Sequence, residues 1–97
     1  MFIVEAKNKE YQVDFTHCRK TDVALLVRRK EGTYCEIIDR MGMMIGNGNT
    51  ILHEGDNYDK NFGRKLSLAR ALKNGGFSTP ERTLFWEAYF KARGKIN

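Results

Sequence analysis

The chain's strongest claim to chemistry is the run His53-Glu54-Gly55-Asp56-Asn57-Tyr58-Asp59, which gathers one imidazole and three carboxylates. Such a set suits general acid–base work or a hydrolytic metal. Its place weakens the claim, because it falls between a strand pattern and a helix pattern. There, Asp and Asn serve as helix caps and complement the helix dipole. His17, Cys18, Cys35 and His53 are ligand types as well, but no C-x-x-C or H-x-x-x-H knuckle brings two of them together. His17 beside Cys18 is adjacency along a chain, not a nucleophile and its base. The cluster Gly46-Asn47-Gly48-Asn49 lacks the G-x-x-x-x-G-K-[ST] pattern of a phosphate loop, and no suitable helix follows it directly. Neither G-x-S-x-G nor H-E-x-x-H occurs. The expectation is no catalytic residue, no metal and no cofactor. This does not read as an enzyme.

Charge makes a different suggestion. The chain carries 17 Lys+Arg against 12 Asp+Glu, a net +5 with a pI near 9.4. Residues 1–56 hold eight cations against nine carboxylates, whereas residues 57–97 hold nine against three. The whole excess lies in the last 41 residues, which points to an acidic partner, either nucleic acid or an acidic protein surface. Lys60, Arg64 and Arg70 fall on one side of the first helix pattern, and Arg28 and Arg29 with Lys30 extend the set from a hairpin tip. No helix-turn-helix, zinc finger or ribonucleoprotein motif is present, so direct contact with nucleic acid would be backbone-driven and salt-sensitive. Trp86 and Phe90 widen the apolar arc of the second helix. They are either core beneath the first helix, an aromatic binding face, or a homodimer seam through the second helix.

The elements that must position these residues follow from periodicity. Ninety-seven residues allow one domain, 1–97, with a strand-rich half (1–55) and a two-helix half (56–94). Phe2, Val4 and Ala6, then Tyr11, Val13 and Phe15, alternate with other residues around a loop at Lys7 to Glu10. Val23 to Arg29 and Thr33 to Asp39, joined at Lys30-Glu31-Gly32, read as a second hairpin. Met41 to Ile45 and Thr50 to Glu54 read as a third, with Gly46 to Asn49 as its tip.

The first helix has Asp56, Asn57 and Asp59 as candidate caps and runs to about Asn74 before Gly75-Gly76. Its apolar face is expected to be Tyr58, Phe62, Leu66, Ala69 and Leu72, opposite Lys60, Arg64, Ser67 and Arg70. Gly63 inside it suggests close contact with a strand. The second helix starts at Ser78 or Thr79, with Pro80 and a Ser78-x-x-Glu81 capping box, and runs to about Arg93 before Gly94. Leu84, Phe85, Ala88, Tyr89 and Ala92 form its apolar arc. The fold class is α+β: an antiparallel sheet of about five or six strands followed by a two-helix hairpin packed on it. No apolar run approaches the ~20 residues of a membrane helix, and the N-terminus has no signal-peptide pattern. Cysteines are expected to be reduced thiols in a cytoplasm.

The run Asp56-Asn57-Tyr58-Asp59-Lys60-Asn61-Phe62-Gly63-Arg64-Lys65-Leu66-Ser67-Leu68-Ala69-Arg70-Ala71-Leu72 is followed by Glu81-Arg82 and by Phe85-Trp86-Glu87-Ala88-Tyr89-Phe90. Together they resemble a module of small proteins from bacterial viruses and prophages, covering roughly residues 46–93. The module has Ala where this chain has Ser67. The resemblance implies a mobile-element origin and a non-enzymatic role in the host cytoplasm, and it transfers no catalytic residue. Small phage proteins often work by occlusion. The leading expectation is therefore an anti-CRISPR-like inhibitor of a host defence or nucleic-acid-handling factor, with a host protein or nucleoprotein complex as partner. The alternative is direct DNA or RNA binding, with a metal nuclease a distant third.

Overall fold

The computed structural model describes residues 1–6, 8–18, 31–51 and 59–94. Four strands, β1 (Phe2–Ala6), β2 (Lys9–Cys18), β3 (Gly32–Asp39) and β4 (Met44–Ile51), form an antiparallel meander in the order β1-β2-β3-β4. Two helices follow, α1 (Lys60–Asn74) and α2 (Thr79–Ala92). The fold is α+β as expected, with four strands among the described residues rather than five or six.

The first hairpin stands nearly as anticipated: Ala6 pairs with Lys9, and Asn8 takes the left-handed φ of 62° that a tight turn requires and Asn tolerates. The other two hairpins are corrected. Residues 32–39 pair with β2 along one edge and β4 along the other, and the segment Val23 to Arg29 lies outside the described residues. Gly46 to Asn49 is not a tip but the middle of β4, registered against Glu36 and its neighbours. The real turn is Arg40 to Met43. Asp39 organises it, its Oδ1 accepting from the backbone N–H of Met41 and of Met43 at 2.9 Å each. A bulge follows, since Ile37 pairs with Gly46 but Ile38 with Met44, leaving Ile45 as the extra residue.

Why glycine sits in a strand is answered by α1. A Cβ at Gly48 would collide with the Ser67 carbonyl and the Ala71 amide, and one at Gly46 would lie 2.5 Å from the Ala71 carbonyl. On the helix, Gly63, Ser67, Ala71 and the C-cap Gly75 recur every four residues as a ridge of small side chains. A Cβ at Gly63 would run into Thr33 on β3. Helix backbone thus lies almost directly on strand backbone, a close approach that only small residues permit. The expected apolar face is rotated by roughly half a turn, at 100° per residue. Gly63, Ser67, Leu68, Ala71 and Leu72 are buried, while Phe62 is 58% exposed and Ala69 faces solvent. The buried Ser67 hydroxyl donates to the Arg64 carbonyl at 3.2 Å, so its polarity is satisfied.

The caps behave as read. The Asp59 carboxylate accepts from the Phe62 amide, which selects it among the three candidates. At the far end, Gly76 (φ 72°) and Phe77 close a Schellman pair, Gly76 N–H to Lys73 O and Phe77 N–H to Leu72 O. Phe77 is thereby driven into the core. Ser78 and Glu81 form the full capping box of α2, so Ser78 rather than Thr79 is the cap. Of the predicted α2 arc, Phe85 and Tyr89 are buried, whereas Leu84 and Ala92 are exposed. Rings supply the packing here. Tyr11, Phe77 and Phe85 meet at centroid separations of 4.8–5.7 Å, and Tyr89 touches Phe2 and Phe15 at 6.0 Å.

Candidate binding groove

Folding the chain back at Phe77 sets the first turns of α1 beside the last turns of α2. Asn61 and Lys65 come to face Arg93, Phe90 and Tyr89 around an open groove of about 500 Å³. Asn61 organises it. Its Oδ1 accepts from Arg64 Nη1 at 3.1 Å and from Arg93 Nη2 at 3.2 Å. Lys65 Nζ stands 5.8 Å from the centre of the Phe90 ring, within cation–π range. Phe90 stacks at 30° on Trp86, 6.1 Å away, and meets Tyr89 edge-on.

Two guanidiniums therefore converge on one neutral amide oxygen, beside a lysine and the positively polarised N-terminus of α1. Asp59 is committed to the Phe62 amide, and the described lining of the groove contains no carboxylate, imidazole or thiol. The chemistry the cations offer is anion recognition, since arginine forks match carboxylate or phosphate oxygens two at a time.

The site residues read from the sequence are only partly brought together. Phe90 lines the groove, Arg64 reaches its edge through its bond to Asn61, Trp86 flanks it half-buried against the core, and Lys60 stands exposed in the first turn of α1. Arg70 is elsewhere. Its Nη1 donates to the Asn49 carbonyl at 2.7 Å, and Asn74 Nδ2 likewise reaches Asn47 O at 2.7 Å. Both side chains cover carbonyls of β4, an edge strand among the described residues, which is a protective role. Arg28 and Arg29 lie outside the described residues, as does His53 to Tyr58 of the acid-rich run. Sequence reasoning passed over Asn61, Lys65 and Arg93. The signal was available, because a hairpin folding about residue 77 sets 61 opposite 93 and 65 opposite 89 or 90.

The cysteines do not form a site. Cys18 and Cys35 are buried free thiols on strands whose register turns them to opposite faces of the sheet. Burial first, then the charges of Glu36 and Asp14, pushes the Cys35 thiol from 9.0 up to about 12, so it is no nucleophile at neutral pH. His17 shares a 3.0 Å hydrogen bond with the buried Thr33 hydroxyl. No metal-competent group of three or more ligand residues occurs among the described residues. No described helix is long and apolar enough to cross a membrane.

Comparison with known proteins yields no matching family model, no matching curated protein and no matching solved structure.

Proposed function

We propose that the protein is a small non-enzymatic binding protein of the phage type, which blocks a host defence or nucleic-acid-handling factor by seating an acidic surface of it in the α1–α2 groove. The observation that carries this reading is the convergence of Arg64 and Arg93 on Asn61 beside Lys65, with no carboxylate bonded to any of the three cations among the described residues. Cations held this way are preorganised, so an incoming carboxylate pays little further ordering entropy. The test is the double substitution Arg64→Glu with Arg93→Glu, both remote from the core. Capture of a specific host protein should fall at least about tenfold, with the thermal midpoint nearly unchanged. Undiminished capture by a folded double variant rejects the groove as the partner surface.

Direct binding of single-stranded nucleic acid is the second reading. The Trp86–Phe90 pair beside Lys65 and Arg93 favours it, since single strands are held by aromatic platforms flanked by cations. Anisotropy of a labelled oligonucleotide separates the two. Under this reading, log K falls linearly with log salt, by about 0.7 per phosphate contacted. Salt-independent or absent binding leaves the protein partner.

A further inference from the structure

The sheet has a second face, turned away from both helices. Strand alternation and register place Ile3, Gln12, Ile38 and Met44 there as one row crossing all four strands. Two acidic rows flank it, Glu5 with Glu10 on one side and Asp14 with Glu36 on the other. The strand residues of this face include no lysine or arginine; Arg40, in the β3–β4 turn, stands at its edge. The adjoining β3–β4 turn carries two more exposed methionines. Met41 is 86% exposed, Met43 65% and Met44 52%, with Ile3 at 47%. A shallow depression of about 210 Å³ is lined by Ile3, Glu10, Gln12, Asp39 and Arg40 among others. Methionine is ordinarily a core residue, so a group of three at the surface is informative.

We infer that this stripe is a docking surface for a basic amphipathic helix of another protein, a surface independent of the cationic groove. Charge complementarity identifies the occupant. A row of Ile3, Ile38 and Met44, interrupted by Gln12 and set between two pairs of carboxylates, matches a helix whose apolar seam is flanked by lysine and arginine on both sides. Neighbouring rows on one face lie about 7 Å apart along the strands, within reach of a lysine stem from a helix seated on the central row. Size agrees too. Four strands about 4.8 Å apart give a stripe of roughly 14 Å, two to three helical turns. Flexible, polarisable thioethers adapt to such a partner without a preformed pocket.

A synthetic amphipathic peptide of about 18 residues, leucine on one face and lysine on the other, is the probe. With methionine methyls labelled for NMR, titration should shift Met44, the methionine seated in the row itself. Binding should weaken as NaCl rises from about 50 to about 300 mM. Glu10→Lys with Glu36→Lys should lower affinity at least about tenfold without moving the thermal midpoint, whereas Arg64→Glu with Arg93→Glu should leave it unchanged. The inference is overturned if the Met44 methyl does not respond, or if a leucine–glutamate peptide binds equally well. It is equally overturned if the methyls shift with protein concentration alone and sedimentation shows self-association, which assigns the stripe to a contact between copies.

Discussion

α1 and α2 lie on the same side of one sheet and are held to it by opposite means. Over β3 and β4, α1 presents Gly63, Ser67 and Ala71 to Gly46, Gly48 and Thr33, and backbones nearly touch. Over β1 and β2, α2 and the preceding turn present Phe77, Phe85 and Tyr89 to Phe2, Tyr11 and Phe15, and rings fill the gap. One half gains from many short contacts and intimate fit, the other from large apolar area per side chain. The lesson is that burial and hydrophobicity are separate properties. In the ring-packed half they coincide, and in the glycine-packed half they part.

Five variants sharpen or break that contrast. Phe85→Ala empties the centre of the ring cluster and should cost about 3–5 kcal/mol in denaturant unfolding, a large share of an ordinary domain's stability. A cost below about 1 kcal/mol would show that the rings are not the core of that half. Gly48→Ala adds one methyl where only backbone lies opposite, so α1 has to lift away. About 2–3 kcal/mol should be lost, against roughly 1 kcal/mol for Gly42→Ala, which meets nothing within 4 Å but strains a φ of 83°. If the two cost the same, the close approach of α1 is wrong. Arg70→Ala with Asn74→Ala removes two bonds to the β4 edge, at about 1 kcal/mol each. It should also raise the light-scattering aggregation rate, because an uncovered edge is a template for pairing. Phe62→Ser should change stability by no more than about 0.5 kcal/mol in thermal melts. This mildest substitution is the most pointed, since a loss near that of a core phenylalanine would restore the face that hydrophobicity alone assigns to α1.

Local signals were legible wherever the physics was local. The Ser78–Glu81 capping box, the Gly75-Gly76 stop and the alternation of Tyr11, Val13 and Phe15 each depend on neighbours a few residues away, and each stands where it was read. Gly63 was read as a sign of strand contact, and Thr33 is what it meets. The misreadings share a cause. Gly46 to Asn49 has turn chemistry by composition, and only the presence of α1 above β4 makes bare backbone useful inside a strand. Ser67 was assigned to the polar face for its hydroxyl, yet what the packing uses is its small size. At the candidate groove, Phe90 in its lining and Arg64 bonded to Asn61 were legible as a ring and a cation on helices. Their pairing with Asn61, Lys65 and Arg93 needed the fold-back at Phe77.

The sequence by itself determined the class of fold, the C-terminal stops of both helices, the ring-bearing face of α2 and the concentration of positive charge after residue 56, because each is a property of composition or of short-range spacing. Tertiary structure alone decided which face of α1 turns inward, which arginine covers a strand edge and which converges with Arg93, and that an acidic methionine-bearing face lies opposite the helices. Those outcomes rest on contacts between residues far apart in the chain, as Asn61 and Arg93 are at 32 positions. Proximity at that range is set by the path of the backbone, which no local pattern encodes.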